Sequence, residues 1–348
     1  MLRGLWNVAF LRADLAGARR IAEQLLVQSQ MSGNPGLATD AHTKLGQTCI
    51  HQGDLAPARL HLERALVPSA DEADEARRQR DAPRVAIYLS WAFWYTGHPD
   101  QALRQAEQAL RLATAAGSPH SSAFALGYSS QLQCLCGDLE QELALARQLA
   151  TLATEHGLAF WRSLAEFTQG RVAARSGDAA AGIARMCGAI EEMRSAGGLV
   201  GVPYLFCLLA GAQRAAGRLA DARTALGEAE RLVAANGNAL YAAEGLRLAG
   251  EIVLAEGAAS ARTQAEGAFL SALELARAQG ARALELRAAT SLARLWRHAG
   301  QATRALALLE PVFAAFNEGL QTADLVAAKA VLDTVRVAAA AVSSSDVG

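Results

Sequence analysis

The sequence predicts an all-α protein: a right-handed α-α superhelix of about eight helix pairs of about 40 residues each, closed by a C-terminal capping helix. Three observations carry this. Gly53, Gly97, Gly137, Gly177, Gly217, Gly257 and Gly300 succeed one another at separations of 44, 40, 40, 40, 40 and 43 residues. A second ladder, Gly117, Gly157, Gly197, Gly237 and Gly280, shares the period and lies 20 or 23 residues further on. Small residues hold fixed offsets from the first ladder. Two helices per period, each closed by a glycine, satisfies all three, because glycine supplies the left-handed residue that ends a helix.

The elements follow in order. "RADLAGAR" (12–19) mirrors "QGDLAPAR" (52–59), so Ala13 stands where the first turn glycine belongs and a first pair lies around it. Pro83, Pro119 and Pro203 are placed to open first helices, and Pro57 and Pro99 to open second ones. Seven residues before each turn stand Gly46, Ser90, Ser130, Gly170, Ala210, Gly250 and Ala293. Five after it stand Ala18, Ala58, Ala102, Gly182, Ala222 and Ala305, with Ala265 fitting after a three-residue insertion; Glu142 breaks the rule. Short side chains let two antiparallel helices approach, so these positions mark helix crossings. "VPSADEADEARRQRDAP" (67–83) lengthens one connection and reads as a solvated loop or an extra helical turn. Pro311 should kink or restart its helix. The array is expected to fill 1–336 as a single domain. Residues 321–336 would form the helix that caps the last pair's apolar face, and 337–348 a disordered tail.

Small residues on both helices around a glycine-containing turn, then an apolar position at Ala65, Ala109, Ala189, Ala229 or Ala272, resemble the tetratricopeptide repeat (TPR). That repeat is about 34 residues long, so helices in this longer, TPR-like solenoid would each gain most of a turn.

Composition narrows the function classes. With 52% hydrophobic and 19% charged residues and a net charge of −1, the chain can bury a core and lacks the basic excess of a nucleic-acid binder. Lys44 and Lys329 are its only lysines, which fits a GC-rich genome. Cys49, Cys134, Cys136, Cys187 and Cys207 contain no CxxC, and Cys134–Cys136 has no second pair nearby, so reduced thiols in the cytoplasm are expected and no metal site. No signal peptide stands out at the N-terminus. Ser195–Gln213 is uncharged over a membrane-spanning length, but its glycines and Pro203 make it a loop and a buried helix, so no membrane role is expected. Glycine-rich phosphate loops, HExxH and GxSxG are absent, so neither a catalytic residue nor a cofactor is assigned and the chain is read as no enzyme. The closest histidines, His42, His51 and His61, do not share one helix face.

Binding is left to the concave wall, which first helices line at 13, 10, 6 and 3 residues before each turn. These positions give Thr43, Gln47 and Ile50; Ile87, Trp91 and Trp94; Phe124, Gln131 and Cys134; Phe167 and Arg171; Tyr204 and Arg214. Glu244, Arg247 and Glu251, then Arg287, Thr290, Arg294 and Arg297, complete the stripe. The groove should be aromatic toward its N-terminal third and arginine-rich toward its C-terminal end. Candidate binding residues are Gln47, Trp91, Trp94, Gln131, Arg171, Arg214, Arg247, Glu251, Arg287, Arg294 and Arg297. Within "LELRAATSLARLWRHAG" (284–300), Ala289, Leu292, Ala293 and Trp296 fall on the packing face; Glu251 and Glu285 are available to neutralise the arginines opposite.

Residues 265–335, together with "YLSWAFWYTGHPDQAL" and "ATEHGLAFWRSLAEFTQGRVAARSGDAAAGIARM", are similar to the helical end of bacterial signalling proteins. Those carry a class III adenylate cyclase domain and a predicted ATPase module upstream. The repeat length also resembles the sensor arrays of STAND-type activators. The resemblance implies regulation: an array that receives a ligand or protein and controls an NTPase switch. The chain contains neither the cyclase nor the ATPase region, and begins almost at a repeat, so it reads as a separated array, a truncated reading frame or a fragment. The expectation is a non-enzymatic scaffold in bacterial signal transduction that binds a protein or peptide partner, a cyclase or NTPase module included. The alternative is a small-molecule effector sensor.

Overall fold

The computed structural model of the chain describes residues 2–67 and 72–345. Among these residues the regular structure is helical throughout, in eight antiparallel pairs and a final helix. The pairs are α1 (Leu2–Leu11) with α2 (Leu15–Ser32), α3 (Pro35–Gln52) with α4 (Leu55–Ala65), and α5 (Glu72–Tyr95) with α6 (Pro99–Ala115). Then follow α7 (Pro119–Cys136) with α8 (Leu139–Glu155), α9 (Ala159–Arg175) with α10 (Ala179–Ser195), and α11 (Val202–Ala215) with α12 (Leu219–Asn236). A 3-10 turn at Ala239–Tyr241 leads into α13 (Ala242–Glu256), which pairs with α14 (Ala261–Ala278); α15 (Arg282–His298) pairs with α16 (Ala302–Ala314), and α17 (Ala323–Ser345) closes the stack.

The glycine ladders mark the corners. Every glycine of both has positive φ, and Ala13, at φ 60°, is the one described non-glycine residue that does. Gly33 and Gly319 also have positive φ, outside the two ladders. Aspartates after the turns cap the next helix: Asp14 accepts from the Gly17 N–H at 2.9 Å and Asp138 from that of Gln141 at 3.0 Å. The small-residue offsets fall at helix crossings. A Cβ on Gly170 would lie 2.8 Å from the Gly182 carbonyl oxygen, and one on Gly182 would lie 2.5 Å from that of Gly170.

Local expectations fare unevenly. Pro119 and Pro99 open α7 and α6, and Pro203 is the second residue of α11. Pro83 does not open a helix: α5 begins at Glu72 and runs through it, with Gln79 donating to Glu75 one turn back. Most of the 67–83 stretch is therefore helix, with 68–71 outside the described residues. α16 runs past Pro311 to Ala314 without a restart. α17 packs its Leu325, Ala328, Leu332 and Val335 against the last pair, as a cap should, and continues beyond 336 to Ser345; residues 346–348 lie outside the described residues. Ser195–Gln213 divides into a connection and α11, and no described helix is long and apolar enough to cross a membrane.

Glu142, the exception among the small residues, is 1% exposed and forms an ion pair with Arg171 of α9, whose Nε donates to Oε1 at 2.7 Å. A carboxylate fits at this crossing because the neighbouring pair supplies its counter-charge.

The superhelix winds back on itself. The Leu199 N–H donates to the Leu11 carbonyl at 3.1 Å, bringing the α10–α11 connection onto the first turn. Gly53 lies against Gln279, Gly97 against Arg282 and Phe316, Gly137 against Ala323, and Gly319 against Pro99. The Gln101 N–H donates to Glu318 at 3.2 Å. The early turns thus rest on the late connections, and what an open array would leave as a groove is narrowed and partly closed over.

Candidate functional site

Two chambers lie inside this enclosure. The first, of about 430 Å³, is aromatic. Tyr88 and Trp91 of α5, Phe124 and Tyr128 of α7 and Trp161 of α9 form its wall; Trp6 and Phe10 of α1 and residues 196–202 cover it. The rings meet largely edge to face, Trp91 and Tyr128 at 5.1 Å, a geometry that aromatic quadrupoles favour. Burial pushes Tyr128 up to about 12 and Tyr88 well above its ordinary value, so these phenols stay neutral.

Polar groups stand at or behind this apolar wall without partners among the described residues. Trp91 Nε1 is buried and unbonded. The amides of Gln47 and Gln131, 3% and 8% exposed, make no hydrogen bond to any described residue. His51, with Asn238 alongside, has neither ring nitrogen in a well-formed hydrogen bond, and burial lowers it to about 4, leaving it neutral. The Gln47 and Gln131 amides, on lining residues, are the groups a ligand can bond to, whereas Trp91 Nε1 and the His51 nitrogens are sealed from the chamber. At the same chamber Arg84 stacks over Phe124 at 5.3 Å.

The second chamber, also about 430 Å³, shares Tyr204 with the first and is lined by Arg171, Arg175, Arg214, Arg247, Arg287 and Arg294. Four of these are compensated. Arg171 holds Glu142, and Arg247 holds Glu244 at 2.8 Å and also Glu251. Arg214 reaches Glu251 at 3.1 Å, and Arg287 bonds Asp324 of α17 at 2.7 Å and the Leu135 carbonyl at 3.3 Å. Burial works to raise the Glu244 pKa, but Arg247 and Arg287 outweigh it and hold the carboxyl below its usual range.

No family model and no curated protein matches the chain. Solved structures do. A Rap protein complexed with Competence and Sporulation Factor superposes with a TM-score of 0.57 at 12% identity, over 96% of each chain. NprR in complex with its cognate peptide NprX gives 0.53 at 13% identity, over 84% of this chain and 81% of that one. The architecture is a TPR-like superhelix. A STAND protein with a tetratricopeptide repeat sensor from Pyrococcus horikoshii is matched at 15% identity over 97% of this chain, which spans half that protein's length, at a TM-score of 0.47.

Within the TPR-like channel the sequence-predicted residues separate. Gln47, Trp91 and Gln131 meet in the aromatic chamber, and Arg171, Arg214, Arg247, Arg287 and Arg294 in the arginine chamber. Glu251 lines a smaller recess that also touches Arg294. Trp94 and Arg297 line none of these spaces. Trp94 is 3% exposed beneath the Arg287 guanidinium, 5.1 Å from its ring, and so is buried rather than open to the channel. Arg297 pairs with His298 at 3.2 Å. Ile50, Ile87 and Phe167 of the predicted inner stripe are fully buried. Trp296 packs in the core, its Nε1 donating to Glu266 at 2.8 Å. Glu285 is taken by Arg277 at 2.7 Å, and Glu251 by Arg214 and Arg247.

Tyr88, Tyr128, Trp161, His51, Trp6, Phe10 and Arg175 also line the chambers and were not among the residues the register predicted. A signal existed for two of them: Tyr88 and Tyr128 both stand nine residues before a turn glycine. Trp6 and Phe10 sit one helical turn apart on α1, but only superhelix closure brings them over the chamber. His42 and His61, which share no helix face, meet across α3 and α4 with their Nδ1 atoms 2.9 Å apart.

Proposed function

We propose that the chain is a non-enzymatic binding array of regulatory type, which takes a short peptide in its inner channel and seats an apolar side chain of that peptide in the aromatic chamber. The observation that carries this is the pair of unpartnered amides, Gln47 and Gln131, on residues that line a recess walled by aromatic rings. A peptide supplies both halves of the match: an apolar side chain for the rings, and backbone groups for the amides. The comparison with Rap and NprR supports the choice of ligand, since both share the architecture and are solved with a factor or cognate peptide. Control of a cyclase or NTPase partner is the finer reading and rests on the resemblance of residues 265–335.

A second reading, a small-molecule effector, is favoured by one observation: α1 and residues 196–202 cover the chamber, whose volume falls within the range of small-ligand pockets, roughly 300–1,000 Å³. Selection from a random heptapeptide library on the purified chain, followed by calorimetric titration, separates the two. The peptide reading expects enriched sequences sharing an apolar anchor, bound about tenfold more weakly by Gln47→Leu, which keeps the bulk and removes the amide. An absence of enriched sequences, alongside a saturable thermal shift with a metabolite from a screen, would favour the effector reading.

A further inference from the structure

The arginine chamber has a charge balance that the ion pairs do not close. Its walls and their partners bring six guanidiniums, from Arg171, Arg175, Arg214, Arg247, Arg287 and Arg294, against the carboxylates of Glu142, Glu244, Glu251 and Asp324. Each of the four carboxylates is engaged by at least one of Arg171, Arg214, Arg247 and Arg287. Arg175 and Arg294 have no ion pair or hydrogen bond among the described residues. Arg214 Nε is a buried donor without an acceptor, though another nitrogen of the same guanidinium holds Glu251. Two surplus cations, Arg175 and Arg294, therefore border a single space of about 430 Å³, while Arg214 Nε is sealed behind its wall. Guanidinium forks match carboxylate and phosphate oxygens in geometry as well as in charge.

We infer that this chamber is an anion-binding site for a ligand group carrying two negative charges, contacted by Arg175 and Arg294. The site is additional to the peptide's aromatic anchor and stands on a different set of residues. A cleft lined by one excess sign also concentrates such a ligand before contact. The charge can be that of a free phosphate or dicarboxylate, or of neighbouring acidic side chains on the channel peptide.

The test is thermal shift of the full chain against three probes at constant ionic strength: inorganic phosphate, succinate, and a hexapeptide carrying an apolar residue and two aspartates. Acetate and the Asp→Asn form of the hexapeptide serve as singly charged and neutral controls. Saturable stabilisation by at least one doubly charged probe and not by its control is the expected result. Arg175→Gln/Arg294→Gln should weaken it about tenfold, while Arg111→Gln, on α6 away from the chamber, leaves it unchanged. Both chamber arginines are exposed and unpaired, so the double variant is expected to fold, and its melting temperature without probe checks this. Phosphate binding tightest would assign a phosphoryl group; preference for succinate or for the hexapeptide would assign free or peptide-borne carboxylates. Failure of all three probes to bind, or equal binding by the double variant, overturns the inference. The same probes on Gln47→Leu keep the two chambers distinguishable, since Gln47 lines only the aromatic one and that change should leave phosphate and succinate binding intact.

Discussion

At Gly137 two requirements coincide: φ is +84°, and a Cβ would run into the Ala323 side chain at the start of α17. Gly177 has φ +111° but open space where its Cβ would be. Gly177→Ala should therefore cost only the left-handed backbone penalty, roughly 1–2 kcal/mol. Gly137→Ala should cost a further 1–3 kcal/mol or so, because the cap must shift. Chemical denaturation of both variants measures the difference, and equal losses would mean that the cap does not rest on that turn. The histidines give a pH prediction. Burial lowers His42 and His51 to about 4 from an ordinary 6.5. Groups depressed in the folded state contribute their stability in full above pH 6.5 and lose it as pH falls toward 4. The melting temperature should fall between pH 6.5 and 4.5, and His51→Leu should make that fall shallower. A flat profile over this window would show that the buried histidines do not govern acid stability. The turn residues were legible in the sequence, because left-handed backbone selects glycine whatever the surroundings, and the repeat of "ADLAGAR" as "GDLAPAR" revealed Ala13 as well. His51 was not legible as a chamber group, because its isolation depends on neighbours distant in sequence.

At the α7–α8 crossing Glu142, paired with Arg171 of α9, replaces the small residue found at other crossings. Removing one member strands a buried charge, at a cost of about 3–5 kcal/mol, whereas an apolar pair of similar volume is often neutral. Glu142→Ala should thus destabilise strongly, and Glu142→Met/Arg171→Leu should recover most of the loss; a double variant as unstable as the single one would show that the pair matters for more than charge. At this scale the sequence announced the anomaly, a glutamate in an alanine register, without naming the partner. The same limit explains Trp94. Its place on the inner face followed from the register, but its burial depends on Arg287, which reaches it from α15 only because the superhelix closes.

Closure is the property of the whole molecule that periodicity could not foresee. Forty-residue spacing defines how each pair meets the next. It says nothing of Gly53 meeting Gln279 or of Glu318 accepting from the Gln101 N–H. The division into an aromatic and an arginine end was legible; the conversion of a groove into two partly closed chambers was not. The proposal that the aromatic chamber is where a ligand sits can be tested by filling it. Gln131→Trp places a larger side chain into space that Gln131 lines but does not occupy. Calorimetric titration of a library-selected peptide against this variant is the direct measurement. The expected result is at least about tenfold weaker binding, since overlap with a bound anchor forfeits its contacts, at a melting temperature close to that of the unaltered chain. Unchanged affinity in a normally folded variant would place the peptide elsewhere and contradict the assignment of the aromatic chamber as its seat.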